Sequence, residues 1–135
     1  MTRADIEAWE KQAGVRIGPG DAVLLRTGRW AGNRNAQAGS AGWDLFGVPF
    51  LKERDVAVVG ADYAQEVANN IEGPNFPAVH KVIGNTLGIT MLDNLDLEEA
   101  SSTAARLKRW EFTIVVAPLR IPNGTGSPIN PISIF

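Results

Sequence analysis

The 135-residue chain contains no cysteine and only one histidine, His80. A disulfide bond and a nucleophilic cysteine are therefore both excluded. Zinc, iron and copper sites normally draw three or four ligands from His, Cys, Asp and Glu, and catalytic sites usually include at least two nitrogen or sulfur donors. His80 is therefore either an ordinary residue or one member of a site whose other ligands lie outside this sequence.

The chain also lacks a charge excess and a long apolar run. Thirteen basic and fifteen acidic side chains give a net charge of −2, which predicts no general attraction to nucleic acid or to an anionic membrane. No apolar run approaches the roughly 20 residues needed to cross a bilayer, and the first ten residues lack the apolar core of a secretory signal. We therefore expect a cytoplasmic protein without a membrane partner.

Three common catalytic motifs are missing as well. The sequence has no glycine-rich phosphate loop ending in Gly-Lys-Ser/Thr, no Gly-x-Gly-x-x-Gly and no Gly-x-Ser-x-Gly. Nucleotide chemistry and hydrolysis through a serine nucleophile consequently lose most of their support.

The residues that are present predict one α/β domain over residues 1–135, with a mixed sheet and flanking helices. Thr2 and Asp5 suggest a capping box for a helix that extends to about Ala13. Apolar runs separated by turn residues predict strands at 22–27, 56–60, 89–92, 110–117 and 132–135, the fourth being the longest, and helical patterns cover 76–87 and 97–108.

His80 and Asp93 form the first candidate site. A helix from His80 to Leu87 advances about 10 Å, and a strand returning to Asp93 covers about 13 Å, so both ends return to nearly the same level. His80 could then ligate a metal or move a proton, with Asp93 as a second ligand or as the partner that orients the imidazole. The alternative is a half-buried His80 on an amphipathic helix and an Asp93 that caps the following turn.

Asp62 and the aromatic residues of a long glycine-rich loop, 28–48, form the second candidate site. Asp62 follows a buried strand, where open α/β sheets bind ligands, but it is equally suited to cap a helix over 63–68. Trp30, Trp43 and Phe46 could line an aromatic substrate pocket, although large aromatics more often cover a core.

Four blocks of sequence resemble the cyclase family, whose best-known members are bacterial kynurenine formamidases. They are 17–28 (IGPGDAVLLRTG), 51–62 (LKERDVAVVGAD), His80 through 88–95 (GITMLDNL), and 117–119 (APL) through 124–131 (GTGSPINP). The similarity covers nearly the whole chain, and the four blocks occur in the same order as in the family.

The resemblance implies a swivelling β/β/α-type fold and metal-dependent hydrolysis of an amide or cyclic amide bond with zinc or manganese. His80 matches the family's downstream metal-binding histidine, and Asp93 lies where kynurenine formamidases have a metal-binding glutamate. The family's amino-terminal His-x-Gly-Thr-His-x-Asp motif is absent, so the chain resembles the carboxyl-terminal portion, whose catalytic residues cannot be assigned.

Two functions therefore remain open from the sequence. The chain is either a piece of an arylformamidase-like hydrolase that is inactive alone and acts on a small acyl amide or cyclic substrate, or a non-catalytic scaffold or binding protein of the same ancestry. Sheet edges left unpaired by the missing strands would favour a homo-oligomer in either case.

Overall fold

The computed structural model describes residues 1–31, 41–67 and 78–135. Helix α1 spans Arg3–Ala13 and α2 spans Val48–Glu53; α3, Ala78–His80, continues as wider π-helical turns over Lys81–Thr86; and α4 spans Glu98–Leu107. The strands are β1 Ala22–Leu25, β2 Val58–Ala61, β3 Thr90–Leu92, β4 Thr113–Val115 and β5 Ile132–Ile134.

Helix α1 begins and ends at the residues that its sequence indicates. The backbone N–H of Asp5 donates to Thr2 Oγ1, while the N–H of Thr2 donates to Asp5 Oδ2 at 2.8 Å, so the predicted capping box is confirmed. Gly14 ends the helix with φ of 70°, a left-handed conformation that glycine adopts without strain.

The central sheet is parallel, with strand order β1-β2-β3. Residues 22–25 pair with 58–61, and residues 58–60 pair with 90–92. Because the strands are parallel, the segments that leave β1, β2 and β3 emerge at one edge of the sheet. This carboxyl edge positions the candidate site residues.

Apolar side chains cover both faces of the sheet. One core cluster contains Ile6 of α1 and Val59 of β2, with Val23 of β1 packed against it. On the other face, Leu24 of β1 packs against a second cluster that includes Leu97, the residue before α4. Burial on both faces explains why the first three strands read as continuous apolar runs.

The α/β class is confirmed, but the predicted mixed sheet is wrong. Strands β4 and β5 pair antiparallel with each other and form a separate two-stranded sheet. The predicted long strand at 110–117 is only three residues, Thr113–Val115, because strand length depends on the partner and β5 is equally short. Residues 63–67 form no helix, and the part of the predicted loop at 32–40 lies outside the described residues.

Across the described ranges, none of the helices is both long enough and apolar enough to cross a membrane. The swivelling β/β/α type of the fold stays a prediction.

Candidate functional site

His80 and Asp93 contact each other at the carboxyl edge of the sheet. His80 ends α3 and Asp93 directly follows β3, and His80 Nε2 lies 3.0 Å from Asp93 Oδ2. The connecting turn is tight, with Gly88 at φ of 68° and the N–H of Ile89 bonded to Ile83 O at 3.0 Å. The structure thus brings together the two residues that the sequence geometry allowed to face one site; their role as metal ligands stays a prediction.

Glu66 is the third member of this cluster, and the sequence reasoning missed it. Its Oε1 accepts hydrogen bonds from the backbone N–H and from Nδ1 of His80, each at 2.8 Å, and its Oε2 accepts from the N–H of Val79 at 3.2 Å. Glu66 lies in the segment that leaves β2, and Asp93 follows the neighbouring β3. The shared edge of adjacent parallel strands was the signal that could have identified it.

The two carboxylates hold His80 in its charged form. The hydrogen bond to Asp93 is the largest cause that raises the pKa of His80 from 6.5 to about 9; the bond to Glu66 adds to it, and partial burial opposes both. At neutral pH the imidazolium therefore donates from Nδ1 to Glu66 and from Nε2 to Asp93. A metal that binds Nε2 has to displace a proton.

His80 and Asp93 fit a divalent metal as two of its ligands. Two ligands of a tetrahedral zinc ion, each bound at about 2.1 Å, lie roughly 3.4 Å apart, close to the 3.0 Å between Nε2 and Oδ2. Both side chains reach solvent, with exposed fractions of 27% and 40%. The described residues contain no group of three or more His, Cys, Asp or Glu side chains arranged to hold a metal ion. His80 and Asp93 together supply one nitrogen and one oxygen donor, which is half of a four-ligand set.

The placement of Glu66 also fits such a centre. A histidine that ligates a metal usually donates its other ring N–H to a carboxylate or carbonyl, which fixes the tautomer and the ring orientation. Glu66 accepts the hydrogen bond from Nδ1 of His80, so that Nε2 remains directed at Asp93.

Asp62 is completely buried and binds the loop that leaves β1. Its carboxylate accepts hydrogen bonds from the N–H and hydroxyl of Thr27 and from the N–H groups of Gly28 and Arg29, at 2.7–3.1 Å. These contacts join the carboxyl ends of β1 and β2. Asp62 therefore caps the 27–29 loop instead of the helix that the sequence suggested, and its place in a substrate pocket stays a prediction.

The three candidate aromatics occupy different surroundings. Trp43 is buried in the core and donates from Nε1 to Gln65 Oε1 at 2.9 Å. Phe46 points outward and is 79% exposed. Trp30 donates from Nε1 to Leu95 O at 2.8 Å, two residues past Asp93. Of the three aromatics, Trp30 contacts the residue that is closest in sequence to Asp93. A role in substrate binding stays a prediction for all three.

Arg29 adds a cation beside Trp30. Its guanidinium carbon lies 4.2 Å from the centre of the Tyr63 ring and 5.4 Å from that of Trp30. The N–H of Asn94, next to Asp93, donates to Tyr63 O at 3.2 Å. A cation and two aromatic rings therefore lie at the same edge of the sheet as the cluster of Glu66, His80 and Asp93.

Comparison of the amino-acid sequence identifies proteins that are similar to this chain. Residues 1–65 match the sequence model of the Cyclase family. Isatin hydrolase from Roseibium aggregatum is 30% identical over 151 aligned positions, which include 99% of this chain and 52% of that protein.

Solved structures agree with the sequence match. A novel cyclase is 30% identical, with a TM-score of 0.87 over 99% of this chain and 46% of its own. An isatin hydrolase bound to the product analogue thioisatinate is 26% identical, with a TM-score of 0.72 over 100% of this chain and 52% of its own. A potential metal-dependent hydrolase with cyclase activity shares the fold, at 18% identity and a TM-score of 0.67 over 98% of this chain and 57% of its own. The chain spans about half the length of these relatives.

Proposed function

We propose that this chain is a member of the cyclase family and forms about half of a metal-dependent hydrolase of amide or cyclic amide bonds. The observation that supports this proposal best is the contact of His80 Nε2 with Asp93 Oδ2 at 3.0 Å. These two residues would hold zinc or manganese together with ligands from the part of the fold that this chain does not span.

Each residue of the cluster has a separate task in this proposal. His80 binds the metal through Nε2, Asp93 binds through a carboxylate oxygen, and Glu66 fixes the imidazole through Nδ1 and the backbone. The metal would supply an acidified water and a Lewis acid for the substrate carbonyl. The chain's own contribution is to orient two ligands before the metal arrives, which lowers the cost of assembling the site.

The substrate in this proposal is a small planar amide or cyclic amide. The names of two relatives specify isatin, an aromatic cyclic amide, as the compound that those proteins hydrolyse. In this chain Trp30, Tyr63 and Arg29 lie at the carboxyl edge of the sheet, the same edge that carries Glu66, His80 and Asp93. Aromatic faces and a cation suit a planar ligand that carries a carbonyl.

Calorimetric titration of the purified chain with Zn²⁺ and with Mn²⁺ tests the metal centre. Micromolar binding that His80→Ala weakens by at least about tenfold is expected, because the only nitrogen ligand is lost. Asn85→Ala, an exposed position in the same π-helical turns, is the matched control and should bind as the unmodified chain does. Equal binding by both variants would contradict the proposal.

A non-catalytic scaffold is the second candidate. The outward face of the β4–β5 sheet carries the exposed apolar side chains of Val115, Ile132 and Ile134, which favour association with another polypeptide. This reading predicts a stable assembly without metal binding, so the same titration combined with light scattering separates the two functions.

A further inference from the structure

Gln65 is buried directly before Glu66, the residue that holds the imidazole of His80. Among the residues that the structure describes, the two polar side chains that are completely buried are those of Asp62 and Gln65. Asp62 binds the 27–29 loop. Burial of an amide is costly unless hydrogen bonds replace those to water, so the partners of Gln65 indicate what the residue does.

The backbone of Gln65 is strained. Its φ is 60°, and the N–H of Glu66 donates to Ala64 O at 2.7 Å across it. A hydrogen bond of this kind around a central residue with positive φ defines the rarer and less favourable form of the γ-turn. Such a conformation persists only where the surrounding structure holds it. Because Glu66 leaves this turn, the direction of its side chain depends on the conformation of Gln65.

Three hydrogen bonds hold Gln65 in this conformation. Gln65 O accepts from the backbone N–H of Trp43, and Gln65 Oε1 accepts from the indole Nε1 of the same residue, each at 2.9 Å. On the other side, Gln65 Nε2 donates to Leu92 O at 3.2 Å. A glutamine amide suits this place because it combines an acceptor for the indole N–H with a donor for the carbonyl. A carboxylate or an apolar side chain of the same size lacks the donor.

Gly42 allows the segment that carries Trp43 to pack directly against the strained turn. A Cβ at residue 42 would overlap with the carbonyl group of Gln65 and would lie 2.8 Å from the carbonyl carbon of Glu66. These are backbone atoms, which cannot move aside as the end of a flexible side chain does. The turn is therefore enclosed on the side of Trp43.

Leu92 links Gln65 to the second carboxylate of the cluster. Leu92 ends β3 and directly precedes Asp93, whose Oδ2 lies 3.0 Å from Nε2 of His80. Glu66 directly follows Gln65 and accepts from Nδ1 of the same imidazole at 2.8 Å. One buried side chain thus bridges the two segments that carry the carboxylates on either side of the ring.

We propose that Gln65 is a positioning residue of the candidate metal centre, which holds the two carboxylates at the separation that fits the imidazole. It acts through Glu66 on one side and through Leu92, the residue before Asp93, on the other. The strain at Gln65 directs Glu66 toward the ring, and the hydrogen bonds of the amide offset that strain. The inference rests on the proposed function for the use of the centre, whereas the geometry that it concerns exists without metal.

Nitrogen NMR of the metal-free chain tests this role, because His80 gives the only imidazole signals. In Gln65→Met the side chain keeps its approximate size but loses the amide, so Glu66 is no longer held toward Nδ1. At about pH 6, exchange of the Nδ1 proton with water should become at least roughly tenfold faster than in the unmodified chain. An unchanged exchange rate in the folded variant would overturn the proposal.

Val48→Ala is the control for a general loss of stability. Val48 is completely buried in α2, so its truncation leaves a cavity and destabilises the core. Urea unfolding measures the stability of both variants, and Val48→Ala should keep the slow exchange of the Nδ1 proton. Equal acceleration in Val48→Ala and Gln65→Met would show that Gln65 acts only through overall stability, which also overturns the proposal.

Trp43→Phe reaches the same contact from the other side and decides the question if circular dichroism shows that Gln65→Met does not fold. The change removes the indole donor to Gln65 Oε1 and keeps an aromatic ring in the core. Exchange of the Nδ1 proton should become roughly threefold faster or more. A folded Trp43→Phe protein with unchanged exchange would refute the positioning role.

A double-mutant cycle with Zn²⁺ shows whether Gln65 acts through Glu66. Gln65→Met alone should weaken zinc binding by roughly tenfold, and it should have a clearly smaller effect when Glu66→Ala is already present, because the main residue that it positions is gone. Losses of affinity that simply multiply would contradict the proposal. A chain that binds no zinc refutes the hydrolase proposal alone, since the exchange of the Nδ1 proton is measured without metal.

Discussion

Glu66 and His80 are joined at two points, because Glu66 Oε1 accepts hydrogen bonds from both the backbone N–H and Nδ1 of His80, each at 2.8 Å. If the hydrogen bond to Nδ1 were the only contact, the imidazole could still move together with the backbone of His80. The hydrogen bond from the backbone N–H also fixes the position of α3 relative to the segment after β2. The result is an imidazole whose Nε2 is presented to Asp93 before any metal binds.

Removal of the Glu66 carboxylate should weaken metal binding without removing a ligand. In Glu66→Ala the ring of His80 loses its orienting partner, and zinc affinity should decrease by about tenfold to a hundredfold. Calorimetry measures the affinity, and nitrogen NMR of the single imidazole reports the loss of the Nδ1 hydrogen bond.

Glu99→Ala is the control for this prediction, because Glu99 is an exposed carboxylate in the first turn of α4. It should leave both the zinc affinity and the imidazole signals unchanged. An unaltered Nδ1 signal in Glu66→Ala would contradict the orienting role.

The charge of His80 should make stability depend on pH. Its pKa is about 9 in the folded chain and 6.5 without these partners, so the folded state binds the proton more tightly. The stabilisation is complete below pH 6.5 and is lost as the pH rises through about 9. Urea unfolding at about pH 6 and about pH 9.5 should show a larger loss for the unmodified chain than for His80→Gln. A titration midpoint of the imidazole near 6.5 would refute this prediction.

Metal binding should show the opposite trend with pH. Zinc has to replace the Nε2 proton, so the apparent affinity should rise by about tenfold per pH unit until the pH reaches the pKa of His80. Calorimetry at several pH values tests this slope. An affinity independent of pH between about 6.5 and 8.5 would show that the ion binds elsewhere.

Asp62→Asn should destabilise the fold. The carboxylate accepts only from N–H and O–H groups, and the new amide NH₂ would face these donors, so a loss of about 2–3 kcal/mol in unfolding free energy is expected. Asp44→Asn is the control, since Asp44 Oδ1 accepts from the N–H of Phe46 and an asparagine oxygen can replace it. Chemical denaturation measures both, and equal stabilities would argue against the loop-binding role.

Gly60 has no room for a side chain. A Cβ at this position would lie 2.6 Å from Leu24 Cδ2 and 2.9 Å from Leu95 Cδ1, so Gly60→Ala should cost about 1–3 kcal/mol of stability. Gly126→Ala, where no atom lies within 4 Å, should be close to neutral. Thermal unfolding compares the two variants, and a Gly60→Ala protein as stable as Gly126→Ala would show that the two leucines move aside without cost.

Local sequence patterns identified several features correctly. The capping box of Thr2 and Asp5 needs residues only three positions apart, and the apolar run of β1 directly reflects burial on both faces. The sequence also allowed His80 and Asp93 to face one site, because a single helix–turn–strand unit of known rise connects them, and the structure places them in contact. In each case the information lies within about 14 consecutive residues.

Long-range contacts could not be predicted in the same way. Asp62 resembles a helix cap in sequence, yet its carboxylate binds the 27–29 loop 33–35 residues earlier in the chain. Residues 110–117 were predicted to form the longest strand, but the strand that forms, β4, has only three residues because its length is limited by the partner that pairs with it. Both outcomes depend on which segments meet in space.

The amino-acid sequence alone thus specified the α/β class and the positions of most helices and strands, and it allowed His80 and Asp93 to face one site. Tertiary structure alone added Glu66 to that pair, assigned Asp62 to a loop and, among the residues that the structure describes, left one edge of β1 without a neighbouring strand. The physical reason is that propensity, capping and periodicity act over a few residues, whereas the partner of a buried carboxylate or of a strand edge is set by the packing of distant segments around a common core.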